Sequence, residues 1–156
     1  MKVNAPAEFK NPRYRISSYP MPALNENDLD SLLKGALNGR LCTINRDGTI
    51  HVAPIWLKYE GGEILMGTLE SSRKAINVKR NKKASVQIDI SEGQLRGVLI
   101  YGEARLDYDD VIEKRISINE QYGSSREEAE AFVKDVPKEW KQVLIRVKPN
   151  KIVGLL

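Results

Sequence analysis

Ser72, Arg73 and Lys74 form the densest group of residues in this sequence that could do chemistry. A short apolar strand, Ile64 to Met66, runs into a small-residue turn beginning Gly67-Thr68, and a helix opens on Ser72. Serine is a favoured helix N-cap because its hydroxyl oxygen accepts an orphan N–H of the first turn. Arg73 and Lys74 then place two cations at the helix end that carries the positive pole of the macrodipole, where anions are preferred. A bound phosphate would resolve the conflict, taking the free N–H groups and pairing with both side chains. The turn therefore reads as a phosphate cradle. A solvated basic first turn is the alternative reading of the same residues.

The second informative stretch is Ala53-Pro54-Ile55-Trp56-Leu57-Lys58. Proline inside a strand removes a ladder donor, which points to an edge or an irregularity. Backbone groups released there could hydrogen-bond a flat heterocycle, with Lys58 near its polar rim. An edge strand with Trp56 in the core is the competing reading. His51 is the single histidine and has no nucleophile motif beside it, so it reads as a structural or hydrogen-bonding residue. Cys42 reads as a small buried residue. The carboxylates lie mostly beside basic neighbours on helices, as solvated surface does. With no acid–base or covalent apparatus evident, and no cysteine–histidine set for a metal, chemistry at such a site would come from a bound cofactor.

A chain of 156 residues that is 41% hydrophobic suits one soluble domain with a proper core. No run approaches the roughly 20 apolar residues of a membrane span. The first 22 residues have no signal-type apolar segment. A lone cysteine fits a reducing cytoplasm. The net charge of +4 is uneven: between Ser71 and Ile88 there are six cations and no acid, whereas Asp107 to Asp135 is acidic. Such a block suits an anionic ligand. It lacks the interleaved aromatics that stack on nucleic-acid bases, so nucleic acid is not the expected partner.

These residues need elements to position them. Pro6, Pro12, Pro20 and Pro22 make residues 1–23 an extended Pro-rich arm, leaving 24–156 as the domain. Asn27 is expected to cap a helix bearing Leu29, Leu32, Leu33, Ala36 and Leu37, with Gly39 as its left-handed stop. Leu41 to Asn45, Ile50 to Tyr59 and Glu63 to Met66 read as an antiparallel meander turned by Asp47-Gly48 and Gly61-Gly62. After the basic helix, Ser72 to about Arg80, the period changes to two. Val86, Ile88 and Ile90 alternate with polar residues, as do Val98, Ile100, Gly102, Ala104 and Leu106. Asp109 or Asp110 opens another helix, and Ser125-Arg126-Glu127-Glu128 has capping-box spacing for a second. Val143 to Val147 is the last strand before a short apolar tail, Ile152 to Leu156. The sum is six antiparallel strands with inserted helices, favouring a small mainly-β barrel with peripheral helices.

Taken together, His51-Val-Ala-Pro-Ile-Trp-Leu-Lys58, the Gly-Gly turn, Thr68-Leu-Glu-Ser-Ser72-Arg-Lys-Ala75 and Gly97-Val-Leu-Ile-Tyr-Gly-Glu103 resemble the pyridoxamine 5′-phosphate oxidase-like family of flavin-binding split β-barrels. The resemblance covers Leu24 to Leu106 well and the tail more loosely. It implies a six-stranded split barrel, a homodimer, and FMN at the subunit interface. It also implies that Arg73 and Lys74 hold the phosphate, assisted by Ser72 and Thr68 next to Gly67. Ala53 to Lys58 would lie along the isoalloxazine ring. An oxidoreductase passing hydride or electrons between flavin and a small-molecule substrate is implied in turn. A deazaflavin-dependent reductase and a non-catalytic flavin-binding protein for storage, sensing or electron relay are the other readings, and a haem site the weakest. Three departures argue against vitamin B6 oxidation: Ala53 stands where true oxidases have a phosphate-binding arginine, Gly97 stands for a glutamine (Gln94 is close), and the C-terminal Trp and Arg-Leu-x-Pro signature is missing.

Overall fold

The computed structural model describes residues 26–90 and 96–155. The expected N-terminal arm and the turn around Glu92-Gly93 lie outside them. Seven strands and four helices follow one another along the described chain: α1 (Glu26–Lys34), β1 (Gly39–Ile44), β2 (Ile50–Ile55), β3 (Lys58–Glu60), β4 (Glu63–Leu69), α2 (Arg73–Arg80), β5 (Lys83–Ile90), β6 (Arg96–Asp107), α3 (Val111–Gln121), α4 (Arg126–Lys134) and β7 (Gln142–Leu155). All strand pairs are antiparallel, in one sheet ordered β2-β1-β5-β6-β7-β4-β3.

The expected six-stranded barrel is therefore corrected to an open sheet of seven strands. The extra strand comes from Ile50 to Tyr59, which breaks at Trp56 and Leu57 into β2 and β3. These two strands are the opposite edges of the sheet, yet they are consecutive in sequence. Ile55 and Lys58 are three residues apart, at most about 11 Å at full extension. The sheet must curl until its edges meet at this corner, although no ladder joins them. Pro54 sits on the edge strand β2, opposite Arg40, where its missing donor costs no interior hydrogen bond.

Helix α3 holds the corner. The Leu57 N–H donates to the Tyr122 hydroxyl (3.0 Å), which itself donates to the Leu37 carbonyl (2.6 Å). Gln121 Nε2 donates to the carbonyls of Leu57 (3.0 Å) and Gly35 (3.2 Å). The Trp56 ring stacks on Tyr122 at a centroid distance of 4.6 Å. Trp56 is thus on the surface, 42% exposed, and not in the core, while Leu57 is fully buried.

Other boundaries shift for local reasons. Asn27 lies inside α1, not before it, and the helix ends at Lys34 with the Gly35 N–H bonded to the Ser31 carbonyl (3.0 Å). Gly39 is the first residue of β1; a Cβ there would come within 2.4 Å of Leu57 Cδ2, so its role is close packing. The last strand and the apolar tail are one strand, β7, which passes Pro149 through a bulge: Tyr101 faces Lys151 and Gly102 faces Pro149, leaving Asn150 extra. Gly102 allows this, since a Cβ would meet the Lys148 carbonyl oxygen at 2.3 Å.

The expected turns and the α4 cap hold. Gly48, Gly61 and Gly62 have positive φ in their turns. Ser125 and Glu128 form the complete capping box of α4. Asp110 stands at the start of α3 in the left-handed region, without a side-chain cap bond. The core is formed by Leu41, Ile64, Met66, Val86, Ile88, Val98, Ile100, Ile145 and Val147, with Leu32 and Leu33 of α1 packed on it.

Tyr122→Phe should destabilise the chain by about 1–3 kcal/mol, because it strands the Leu57 N–H and Leu37 carbonyl with no partner. Urea denaturation checks this; an unchanged midpoint would mean that α3 does not hold the corner.

Candidate functional site

The cradle is built where β4 ends and α2 begins. Ser72 caps α2 with extended backbone, its Oγ accepting from the Ala75 N–H at 3.4 Å. Thr68, buried at the end of β4, donates its hydroxyl to Ser72 Oγ at 3.0 Å and so fixes the cap. The Arg73 and Lys74 N–H groups have no acceptor among the described residues, as expected for a first turn whose cap serves the third amide. The first turn contains no acid.

After the hydrogen bonds from Thr49, Arg73 contributes to holding the exposed Asp47 carboxyl below its usual range, but neither cation is in contact with a carboxylate among the described residues. Among the described residues neither Arg73 nor Lys74 makes an ion pair. Arg73 is exposed, whereas Lys74 is half-buried and its ammonium is pushed below the usual lysine range by desolvation. A partly buried cation facing a helix dipole of the same sign is unfavourable unless an anion arrives. The residues present therefore fit a phosphate-bearing ligand: two free amides, a hydroxyl pair, one fork-shaped and one point-like cation.

Helix α2 is anchored by a residue the sequence did not single out. Asn77 is buried, and its Nδ2 donates to Thr43 Oγ1 (3.1 Å) and Asn45 Oδ1 (2.9 Å) of β1 and its turn. Arg80 donates to the Ile44 carbonyl from the next turn of the helix. These bonds set the direction in which Ser72, Arg73 and Lys74 face.

The second stretch meets the first across the corner. Trp56 lies just before β3, whose Lys58 pairs with Leu65 of β4, and Gly67 lies two residues further along β4. Both line a cleft of about 290 Å³ with Arg115, Ile118, Asn119 and Phe132. Along β2, Ala53 and Ile55 are buried and Pro54 is exposed. Lys58 donates to Ser117 Oγ at 3.2 Å. The polar groups of Leu57 are already taken by Gln121 and Tyr122, so the corner does not leave the free backbone groups expected at that residue. His51 lies across from Thr43 in the β1–β2 ladder. Cys42 is partly buried, and desolvation pushes its thiol up, away from reactive thiolate character. Among the described residues no set of His, Cys, Asp and Glu could hold a metal, and no helix is long and apolar enough to cross a membrane.

The family model for pyridoxamine 5′-phosphate oxidase matches residues 26–153. The chain belongs to this family. No curated protein matches it. Among solved structures, it is similar to a conserved hypothetical protein from Mycobacterium tuberculosis, with 25% identity and a TM-score of 0.72 over 85% of this chain and 84% of the other. It also shares its fold with an F420 reductase (23% identity, TM-score 0.66, covering 79% and 94% of the two chains). A third fold relative is an FAD-binding protein from Mesorhizobium loti (19% identity, TM-score 0.60, covering 84% and 92%).

Lys74 gives a prediction independent of any activity. Its folded-state pKa is depressed, so the unfolded chain holds the proton more tightly. The penalty is present in full below the folded pKa and vanishes as pH rises to the unfolded value of about 10.4. In phosphate-free buffer, Lys74→Met should leave stability equal or higher at neutral pH and flatten its alkaline rise. Urea denaturation between neutral and alkaline pH measures this. Loss of stability at neutral pH would show that Lys74 already has an anionic partner.

Proposed function

We propose that the chain binds FMN at the interface of a homodimer and works as an oxidoreductase on a small-molecule substrate. The observation that carries this reading is the half-buried, unpaired Lys74 beside Arg73 at a capped helix start. Arg73, Lys74, Ser72 and Thr68 would hold the phosphate. Ala53, Pro54, Ile55, Trp56 and Lys58, with Gly67 opposite, would flank the ring, and Leu57 would support them from below. When bound, a flavin supplies hydride or one-electron chemistry. The chain's own residues bind, orient and exclude water, and none of those described stands as an obvious acid or base. The family match supports a flavin-type cofactor, as do the fold relatives named as an F420 reductase and an FAD-binding protein.

A homodimer is supported by apolar surface on the edge strand. Ile50 and Val52 are 61% and 53% exposed on β2. Trp56 and Tyr101 add to the large apolar side chains left on the surface. Ile50 and Val52 are two residues apart on one face of the edge strand, and a contiguous apolar patch there would mark an interaction site. The single cysteine is consistent with a cytoplasmic setting.

A second reading, a deazaflavin-dependent reductase, is favoured by the F420 reductase likeness, since the same cradle suits that cofactor's phosphate. Titration with each cofactor separates the two. A holoprotein that turns over neither reduced nicotinamide nor reduced deazaflavin would instead be a binding or relay protein.

Replacing both Arg73 and Lys74 with Ala should weaken FMN uptake at least about a hundredfold, since each charge-assisted bond contributes about 1.5–3 kcal/mol. Circular dichroism should be unchanged. Wild-type affinity in the double variant would remove the cradle from the cofactor site.

A further inference from the structure

The turn that leads into the cradle carries a carboxylate that would neutralise it by turning inward. Glu70 stands three residues before Arg73 and four before Lys74, and the next acid along the chain is Asp89. Three residues span at most about 11 Å when extended, and less across a turn, within reach of two long side chains. The turn is closed by the Ser72 N–H, which donates to the Leu69 carbonyl at 3.0 Å. A carboxylate is also what the positive end of α2 favours. Yet Glu70 pairs with neither cation; its partners are Tyr108 and Lys141.

Three contacts hold it the other way. The Tyr108 hydroxyl donates to Glu70 Oε1, and Lys141 Nζ lies 3.5 Å from Oε2. The same ammonium sits 4.4 Å from the centre of the Tyr108 ring, so the three side chains close into one cluster. The backbone fixes it further, the Glu70 N–H donating to the Lys141 carbonyl at 2.8 Å. The Tyr108 hydrogen bond, and after it Lys141, holds the Glu70 carboxyl below its usual range. Tyr108, between β6 and α3, is 45% exposed, and Lys141, just before β7, is exposed too, so the core does not depend on them. The other carboxyl that feels Arg73 is likewise engaged elsewhere: Thr49 donates to Asp47 Oδ1 from its N–H at 3.0 Å and from its hydroxyl at 2.6 Å.

We infer that Tyr108 and Lys141 are positioning residues for the phosphate cradle: they keep the Glu70 carboxylate off Arg73 and Lys74, so that both cations stay open to a phosphate. Released, Glu70 is an internal competitor for the same two cations. The identity of the ligand rests on the proposed flavin reading, whereas the sequestration of Glu70 serves any phosphate-bearing ligand at this turn.

Titrations of the full-length protein with FMN and riboflavin, followed by flavin fluorescence, test this on Tyr108→Phe/Lys141→Met, on Glu70→Gln and on the chain carrying all three changes. The release variant should bind FMN about fivefold more weakly, the scale of one exposed ion pair, with riboflavin unmoved. Glu70→Gln should restore FMN affinity in the released chain and improve it far less in the wild type. Neither a general charge effect nor a disturbed fold produces that coupling. Wild-type FMN affinity in the release variant, or a loss that Glu70→Gln does not repair, would overturn the inference. A loss shared equally by riboflavin would overturn it too, since the phosphate would not be what Tyr108 and Lys141 serve. If no chain takes up flavin, the flavin reading fails alone and inorganic phosphate becomes the probe. Phosphate should then raise the urea midpoint above that in chloride of equal ionic strength, less so in the release variant and fully again once Glu70→Gln is added. No stabilisation by phosphate in any chain would overturn the inference together with the cradle.

Discussion

The corner at Trp56 and Leu57 is the constraint from which the rest of the arrangement follows. Two edge strands consecutive in sequence force the seven-stranded sheet to curl back on itself. The backbone groups exposed by that turn are buried and must be satisfied. Tyr122 and Gln121 do this from the end of α3, and their bonds to Leu37 and Gly35 tie the α1–β1 connection to the same point. Because the corner is fixed, Trp56 comes to line the same cleft as Gly67 of β4. Helix α3, recruited to close the corner, then brings Arg115 to the face of β4.

Around that frame the electrostatics depart from ordinary helix design. A stable isolated helix carries acids in its first turn and bases in its last. Helix α2 has bases at both ends and no acid at its start. Elsewhere the chain pairs its charges: Glu63 with Arg105, Asp107 with Arg146, and Glu113 and Glu130 with Arg126. The contrast is what makes Arg73 and Lys74 informative. Residues that break local rules while their neighbours obey them concentrate at functional sites. Asn77 keeps the cradle in place despite the repulsion, through buried hydrogen bonds to a different part of the sheet.

What the sequence disclosed was local. Ser72 as a cap, the Ser125–Glu128 box, the Asp47-Gly48 turn and the two-residue period of β5 each depend on a few neighbouring residues. The edge position of β2 followed from Pro54 for the same reason. What stayed hidden was set by distant partners. Pro54 signals an edge or irregularity within Ile50 to Tyr59, but not a division into two strands at Trp56 and Leu57, because the groups that compensate it come from residues 121 and 122. Val143 to Val147 read as separate from the tail Ile152 to Leu156 because the bulge at Gly102 that carries the strand past Pro149 depends on β6. Gly39 read as a helix stop, since its close contact with Leu57 is invisible without the corner. Arg115 looked like one more cation on an acidic helix, and Asn77 like a neutral residue on a basic one. An arginine lying on Gly67, five residues before the Ser72 cap, is a signal only once α3 is known to cross β4.

The central claim is that the start of α2 recognises the phosphate of a flavin-type cofactor. Parallel titrations of the full-length protein with FMN and riboflavin, followed by absorption and flavin fluorescence, test it most directly, because the two ligands differ only in the phosphate. The account predicts that FMN binds at least about a hundredfold more tightly than riboflavin, the scale of two charge-assisted hydrogen bonds. Equal affinity for both, or no uptake of either, would contradict it.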